Sequence, residues 1–279
     1  MHPHSSSALS PAPALTIATA LLLAIWLTPG SALAQSVVAG SPDITIALDS
    51  GTVVASDEDV AVDDTSSVGL EDLGALPEAS DVIALGGTAN GDRLIALDIT
   101  SSLPGGVVAS PGDVVLYDGA SYSIVFDASA EGVPAGARTD AASIAPNGLL
   151  LSFDTTVDLA GTIAADEDLV RWDGAGFTLV FDGSAEGLAD GLDADAGQDL
   201  GGGAFLLSFD TAGQIGGVNF DDEDVLRFDG SGWTLEFDAS AADAAWAAAD
   251  LDAVLVPEPG FGALVVTGAL WLALTGRRR

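Results

Sequence analysis

Large apolar residues alternate with polar ones in short runs along most of this chain. In Trp233–Phe237 the apolar residues Trp, Leu and Phe are separated by Thr and Glu, and Phe177–Phe181 and Tyr122–Phe126 alternate in the same way. A period of two buries one face of a β-strand and leaves the other in water. An Asp-Gly pair precedes each run, at 118–119, 173–174 and 229–230, and it predicts a tight hairpin because glycine accepts a positive φ.

The strand pattern repeats about every 55 residues. Residues 168–185 align without gaps with residues 224–241 at 11 identical positions, and with residues 113–130 at 10. The aspartates that begin these segments, together with the one in a weaker first copy, are Asp59, Asp113, Asp168 and Asp224. Asn-Gly pairs at 90–91 and 147–148 predict a second hairpin per unit. The sequence therefore predicts four units of four short strands, with one short helical turn in the Ala-rich stretch 239–249.

Four strands in about 55 residues is the size of a propeller blade. The repeat region begins with what looks like a second strand, residues 44–48, and ends with a first strand, residues 251–255. Pairing the two would complete a fourth blade and remove two open sheet edges. We therefore predict an all-β fold, a four-bladed β-propeller closed by its termini. A β-sandwich or an open array of sheets is the alternative.

The N-terminus has the pattern of an export signal. Residues 14–27 are apolar, a Pro-Gly pair follows, and small residues precede a cleavage site between Ala34 and Gln35. Apolar runs of this length followed by small residues are typical of secretory signal peptides, although the n-region lacks Lys and Arg. We predict a signal peptide over residues 1–34, a helix in its apolar part, and an acidic β-repeat domain over residues 35–256. An N-terminal membrane anchor or a buried helix is the alternative.

The C-terminal segment, residues 256–279, combines three elements in a fixed order. A Pro-Glu-Pro motif is followed by 17 apolar or small residues from Gly260 to Gly276, about 25 Å as a helix, and then by three arginines. The motif and the basic cluster consist of Pro257, Glu258, Pro259, Arg277, Arg278 and Arg279. The apolar part predicts a transmembrane helix whose arginines stay cytoplasmic.

This arrangement resembles the PEP-CTERM sorting signal of Gram-negative bacteria. The resemblance implies recognition and processing by an exosortase near the Pro-Glu-Pro motif. It also implies transient residence in the inner membrane and a final place at the cell surface or in an extracellular matrix associated with exopolysaccharide. Signal peptidase and exosortase are then the processing partners. A plain single-span tail anchor is the alternative.

The amino-acid composition excludes several kinds of partner, catalytic site and metal site for the domain. The chain carries 42 Asp and Glu against 7 Lys and Arg, a formal net charge of -35, with no cysteine and with histidine only at His2 and His4. Nucleic acid is disfavoured as a partner because phosphate contacts need basic residues. Without His, Cys or Lys in the domain, the usual catalytic triads and His-ligated metals are excluded. Carboxylates alone can support a hydrolase, but their repetition in every unit argues against one unique active site.

Clustered aspartates suit calcium, a hard cation with six to eight oxygen ligands. The candidate ligands are Asp59, Asp166, Asp168, Asp222 and Asp224, and Asp193 and Asp195 lie in a further Asp-rich connection. The competing interpretation is that these side chains cap turns. We expect calcium or high salt to relieve the self-repulsion and raise thermal stability.

Aromatic residues in the strands have the spacing of core residues. Trp246 lies outside that pattern, which makes it the aromatic to test for ligand contact. The functional expectation is an exported, structural or adhesive surface protein linked to exopolysaccharide. The alternatives are a carboxylate-dependent carbohydrate hydrolase on the same scaffold and a passive display scaffold without a ligand.

Overall fold

The structure is a computed structural model that describes residues 38–63, 67–189 and 191–256. The predicted signal peptide and sorting segment lie outside these ranges, apart from Val256. Helical structure within them comprises one turn, α1 (Ala239–Ala242), and three 3-10 turns at Asp49–Gly51, Pro104–Gly106 and Trp246–Ala248. None of these helices has the length to cross a bilayer.

Short strands make up most of the domain. In chain order they are β1 (Val38–Pro42), β2 (Ile46–Leu48), β3 (Val53–Ala55), β4 (Val60–Asp63), β5 (Val68–Glu71), β6 (Val82–Gly87), β7 (Arg93–Leu97), β8 (Ser101–Leu103), β9 (Val107–Ala109), β10 (Val114–Tyr117), β11 (Tyr122–Phe126), β12 (Thr139–Ala145), β13 (Gly148–Phe153), β14 (Val157–Leu159), β15 (Thr162–Ala164), β16 (Leu169–Trp172), β17 (Phe177–Phe181), β18 (Ala196–Gly201), β19 (Ala204–Ser208), β20 (Gly213–Ile215), β21 (Val218–Phe220), β22 (Val225–Phe228), β23 (Trp233–Phe237) and β24 (Leu251–Leu255).

Four antiparallel sheets of four strands form the blades of a propeller. From the axis outward, blade 1 is β24-β1-β4-β5, blade 2 is β6-β7-β10-β11, blade 3 is β12-β13-β16-β17 and blade 4 is β18-β19-β22-β23. The innermost strands β24, β6, β12 and β18 contact their neighbours around the ring. The predicted four-bladed propeller is therefore confirmed, as are the Asp-Gly and Asn-Gly hairpins.

The first and last strands of the described domain close the ring, as predicted, but the N-terminal strand is a different one. In blade 1, Ala39 lies opposite Leu255 and Pro42 lies opposite Leu251. The second strand of this blade is thus β1, and the expectation that residues 44–48 would fill that place was wrong. The error has a local cause, since residues 46–48 repeat the Ile-Ala-Leu of residues 95–97, which do form a second strand.

A two-stranded ribbon not predicted from the sequence joins the second and third strands of every blade. Ile46–Leu48 belongs to the first of these ribbons, which are β2-β3, β8-β9, β14-β15 and β20-β21. Each ribbon strand has only three residues, too short for its alternation to stand out in the sequence. The repeating unit is therefore a four-stranded blade with a two-stranded insertion.

Apolar side chains fill the four interfaces between adjacent blades. Between blades 2 and 3, Phe126 meets the Trp172 ring edge-on at a centroid distance of 5.2 Å, which supports the prediction that the strand aromatics are core residues. Between blades 4 and 1, Trp246 packs with Leu251 and Val254. Trp246 is only 6% exposed, so the expectation that it is the aromatic to test for ligand contact was wrong.

We expect Gly86→Ala to destabilise the ring. A Cβ at Gly86 would lie 2.2 Å from the backbone oxygen of Ala142 in the next blade, too close for either innermost strand to accommodate without moving. Overpacking of this kind costs about 1–3 kcal/mol. The matched control is Gly69→Ala in the outermost strand β5, where a Cβ meets nothing within 4 Å. Urea unfolding of both variants measures the effect, and equal stabilities would contradict the close approach of blades 2 and 3.

Candidate functional site

The aspartates that mark the repeats cap the turn before the third strand of each blade. Their Oδ2 atoms accept the backbone N–H three residues earlier, from Ser56 to Asp59 at 3.0 Å, Ser110 to Asp113 at 2.8 Å, Ala165 to Asp168 at 2.9 Å and Asp221 to Asp224 at 2.9 Å. Asp113 and Asp168 use Oδ1 as well, accepting from Ala128 and Gly183 at 2.9 Å. Turn capping thus gives a structural role to three of the predicted calcium ligands, Asp59, Asp168 and Asp224, although Oδ1 of Asp224 is buried without a hydrogen-bond partner.

The other two predicted ligands, Asp166 and Asp222, occupy a different place. Both are half-buried, and their charges help raise the pKa of Asp193 and Asp250 respectively, two aspartates at the start of innermost strands. The five predicted residues therefore do not converge on one point. Within the described ranges, no three acidic side chains are grouped so as to hold a metal ion ready-made.

We expect Asp168→Ala to lower stability by about 2 kcal/mol or more. The substitution removes the acceptor for the N–H groups of Ala165 and Gly183, and an unsatisfied buried donor costs about 1–3 kcal/mol. Asp166→Ala is the matched control, since it removes a neighbouring carboxylate that caps neither group. Urea unfolding with and without calcium distinguishes capping from metal binding, because a ligand role for Asp168 would make the loss depend on calcium.

A second family of capping aspartates positions the residues that lead into each innermost strand. The side chains of Asp43, Asp98, Asp154 and Asp210 accept the backbone N–H of Asp250, Asp81, Arg138 and Asp193, at 2.8, 2.7, 2.8 and 3.0 Å. These four acceptors lie within two residues of the end of the second strands. Each cap ties the start of an innermost strand to the end of the strand beside it.

The capped positions and the positions two residues later form two tiers around the axis. The first tier consists of Asp81, Arg138, Asp193 and Asp250, and the second of Ile83, Asp140, Asp195 and Asp252. Residues two apart on a strand point to the same side. The tiers therefore bring together six carboxylates, which we call the axial cluster: Asp81, Asp140, Asp193, Asp195, Asp250 and Asp252.

Burial and mutual repulsion dominate the electrostatics of the axial cluster. Burial, aided by neighbouring carboxylates, raises the pKa of Asp193 to about 7, of Asp250 to about 8 and of Asp195 to about 10. Burial also raises the pKa of Asp140 well above its usual value. Asp81 and Asp252 share a hydrogen bond, and the pKa of both is raised, more strongly for Asp81.

Several oxygens of the axial cluster have no hydrogen-bond donor. They are fully buried and comprise Asp81 Oδ1, Asp140 Oδ2, Asp193 Oδ1 and Asp195 Oδ2. Asp140 as a whole is only 6% exposed. The guanidinium nearest to it, that of Arg138, directs its Nε to Asp154 Oδ2 at 2.8 Å. Buried carboxylate oxygens normally have partners, so this cluster stands out as the candidate site.

Sequence reasoning pointed to Asp193 and Asp195 but missed the other four members of the cluster. A signal was present, because an Asp-Ala pair recurs at Asp140, Asp195 and Asp252, near the repeat period. The predicted calcium ligands came instead from the denser acidic runs before the third strands. In those runs the repeated aspartate is a turn cap.

The opposite end of the axis has a different character. A cavity of about 500 Å³ there is lined by Gly87, Asn90, Arg93, Gln198, Asp199 and Val256, among others. Gln198 donates to the carbonyl of Val256 at 2.7 Å and accepts its N–H at 2.8 Å, which fixes the end of β24. Arg93 pairs with Glu71 at 2.6 Å. The cavity lining comes from the C-terminal ends of the innermost strands, whereas the axial cluster lies at their N-terminal ends.

Comparisons with known proteins add little. No protein-family model matches the chain, and no curated protein matches it. Among solved structures, a chain described as "YCF48 bound to D1 peptide" aligns with a TM-score of 0.31 and 7% identity, over 69% of this chain and 50% of that chain. This chain thus accounts for half the length of that structure, and a likeness so low supports no conclusion about function.

Proposed function

We propose that this protein is an exported β-propeller displayed at the cell surface or in an extracellular matrix, where it binds a ligand and does not transform one. The propeller fold, together with the export and sorting patterns at the two ends of the sequence, supports the proposal, and the polarity of the strands agrees with it. β24 begins at Leu251, beside the axial cluster, and ends at the opposite face, where β1 also begins, since Ala39 pairs with Leu255. At about 3.3 Å per residue, these two faces are more than 10 Å apart along the axis.

This polarity suits a protein held by its C-terminal tail. The segment that resembles a PEP-CTERM signal follows Val256 in the sequence. Val256 lies at the end of β24 that is opposite the axial cluster. An exosortase acting near Pro257–Pro259 would cut outside β24 and leave blade 1 complete. The axial cluster would then lie at the end of the propeller away from its membrane attachment during processing. The released propeller would join an exopolysaccharide-associated matrix.

Processing can be tested in a bacterium that has an exosortase. We expect the mature protein to lack residues 1–34 and Arg277–Arg279, by mass spectrometry, and to reach the medium or the cell surface. Replacing Pro257, Glu258 and Pro259 together with Ala should retain the protein in the inner membrane. The control replaces Val256 alone with Ala. Mature protein that still carries its arginines, or normal sorting of the triple variant, would refute the sorting proposal.

One observation favours a second candidate, a carboxylate-dependent hydrolase. Asp81 and Asp252 share a hydrogen bond, and their pKa values are raised unequally. Acid-base catalysis by two carboxyl groups needs one protonated and one ionised member. Turnover of polysaccharide by the wild type that is abolished by both Asp81→Asn and Asp252→Asn would establish this function, whereas binding without turnover supports the first.

A further inference from the structure

The axial cluster contains six carboxyl groups and lies beside one basic side chain, that of Arg138. Six carboxylates from the innermost strands of all four blades share one end of the axis, and Arg138 is the basic residue at the equivalent positions. The guanidinium of Arg138 is already paired with Asp154. The protein thus brings carboxyl groups together at this point without a free basic side chain to pair with them.

The hydrogen bonding of the cluster is also incomplete. Asp140 is 94% buried, and its Oδ2 accepts no hydrogen bond. Oxygens of Asp81, Asp193 and Asp195 are equally buried and equally without donors. In contrast, the turn-capping carboxylate of Asp168 has backbone donors on both oxygens. A buried anionic oxygen that is left without a donor is costly unless a proton or a cation takes that place.

We propose that the axial cluster binds a divalent cation, with calcium the best match. The available ligands are all oxygens, the preference of hard cations, and no nitrogen or sulfur ligand is present in the cluster. Calcium accepts irregular shells of six to eight oxygens completed by water, whereas magnesium demands near-octahedral geometry. Since no three acidic side chains in the described residues are grouped for chelation, binding draws the carboxylates inward or proceeds partly through water.

This site differs from the acidic runs before the third strands, where Asp59, Asp168 and Asp224 each use Oδ2 to cap a turn. Of these three, Asp224 also has a buried Oδ1 without a hydrogen-bond partner. The axial cluster also does not depend on export, sorting or a polysaccharide ligand. Calcium here would link the innermost strands of the four blades and offset their repulsion. Calcium binding at the axial cluster can therefore be tested independently of the proposed function.

The test is calcium titration of the purified, EDTA-treated mature protein by calorimetry at pH 7.5 in 150 mM NaCl. We expect one site with a Kd of about 1 mM or lower, the range of extracellular calcium modules. The variant Asp140→Asn/Asp195→Asn/Asp252→Asn should bind at least about 10-fold more weakly. The control Glu78→Gln/Glu186→Gln/Glu236→Gln removes three carboxyl groups outside the cluster, two of them exposed and that of Glu236 half-buried, and should bind as the wild type does.

A second measurement distinguishes calcium binding from misfolding of the variants and from ionic screening of the negative charge. Circular dichroism should show the Asn variant folded, with a higher Tm than the wild type without calcium, because buried repulsion is removed. Calcium should raise the Tm of the wild type and of the Gln control, but not that of the Asn variant, at matched ionic strength. Calcium binding retained by the Asn variant, equal losses in both variants, or no binding by the wild type would each overturn the inference.

Discussion

A chain that ends at Asp250 is expected not to fold cooperatively. The truncation removes β24, the innermost strand of blade 1, whose Leu251, Ala253 and Val254 are almost completely buried. It also leaves the inner edge of β1 without its antiparallel partner and opens the interfaces of blade 1 with blades 2 and 4. Loss of several buried side chains costs more than the 5–15 kcal/mol that stabilises a typical domain.

A chain that ends at Val256 is the matched control for this truncation. It retains β24 and both hydrogen bonds between Val256 and Gln198, so it should unfold in one sharp transition. Far-UV circular dichroism during urea unfolding, together with size-exclusion chromatography, compares the two. A cooperative monomer from the chain that ends at Asp250 would contradict closure of the ring by the terminal strands.

Lowering the pH from 8 to 5 is expected to stabilise this propeller in the absence of calcium. The raised pKa values of the axial cluster, such as about 10 for Asp195 and about 8 for Asp250, lie above the ordinary value of 3.8. The folded state therefore binds more protons than the unfolded state over this window. Stability from such a group is fully present below the unfolded pKa and is lost as the pH rises through the folded pKa.

The size of this pH effect follows from the number of protons taken up. Each carboxylate that is protonated when folded and ionised when unfolded adds about 1.4 kcal/mol per pH unit of acidification. Over three pH units a single carboxylate such as Asp195 contributes about 4 kcal/mol, so we expect a total gain of at least that size. Solvent screening reduces the contributions of the less buried Asp81, Asp193 and Asp250. The charged groups that face the cluster are Asp43, Asp57, Asp98, Arg138, Asp154, Asp166, Asp210 and Asp222.

Urea unfolding in EDTA at constant ionic strength measures this dependence. The variant Asp140→Asn/Asp195→Asn/Asp252→Asn should have a flatter profile, whereas the Gln control at Glu78, Glu186 and Glu236 should follow the wild type. Exposed turn aspartates such as Asp118 and Asp229 have lowered pKa values, so they titrate below this window. Stability that falls steadily from pH 8 to 5 would contradict the burial of the axial carboxylates.

The capping aspartates show how far local sequence can predict a site. Asp118, Asp173 and Asp229 each accept two backbone N–H groups within three residues, so the turn is readable from the Asp-Gly pair alone. Asp168 is harder, because its second donor, Gly183, lies 15 residues away. An acidic run in the sequence therefore does not distinguish a capping carboxylate from one that is available to a ligand.

The sequence by itself determined the repeat, its hairpins and the closure of the ring, because alternation, Asp-Gly pairs and the half-hairpins at both ends are local or periodic signals. Only the tertiary structure decided that β1, and not residues 44–48, pairs with β24. The sequence was misleading here because residues 46–48 have the same Ile-Ala-Leu as residues 95–97, which do form a second strand. The tertiary structure alone also decided which aspartates meet. Asp81, Asp140, Asp195 and Asp252 are more than 50 residues apart along the chain and become neighbours only when four innermost strands surround one axis.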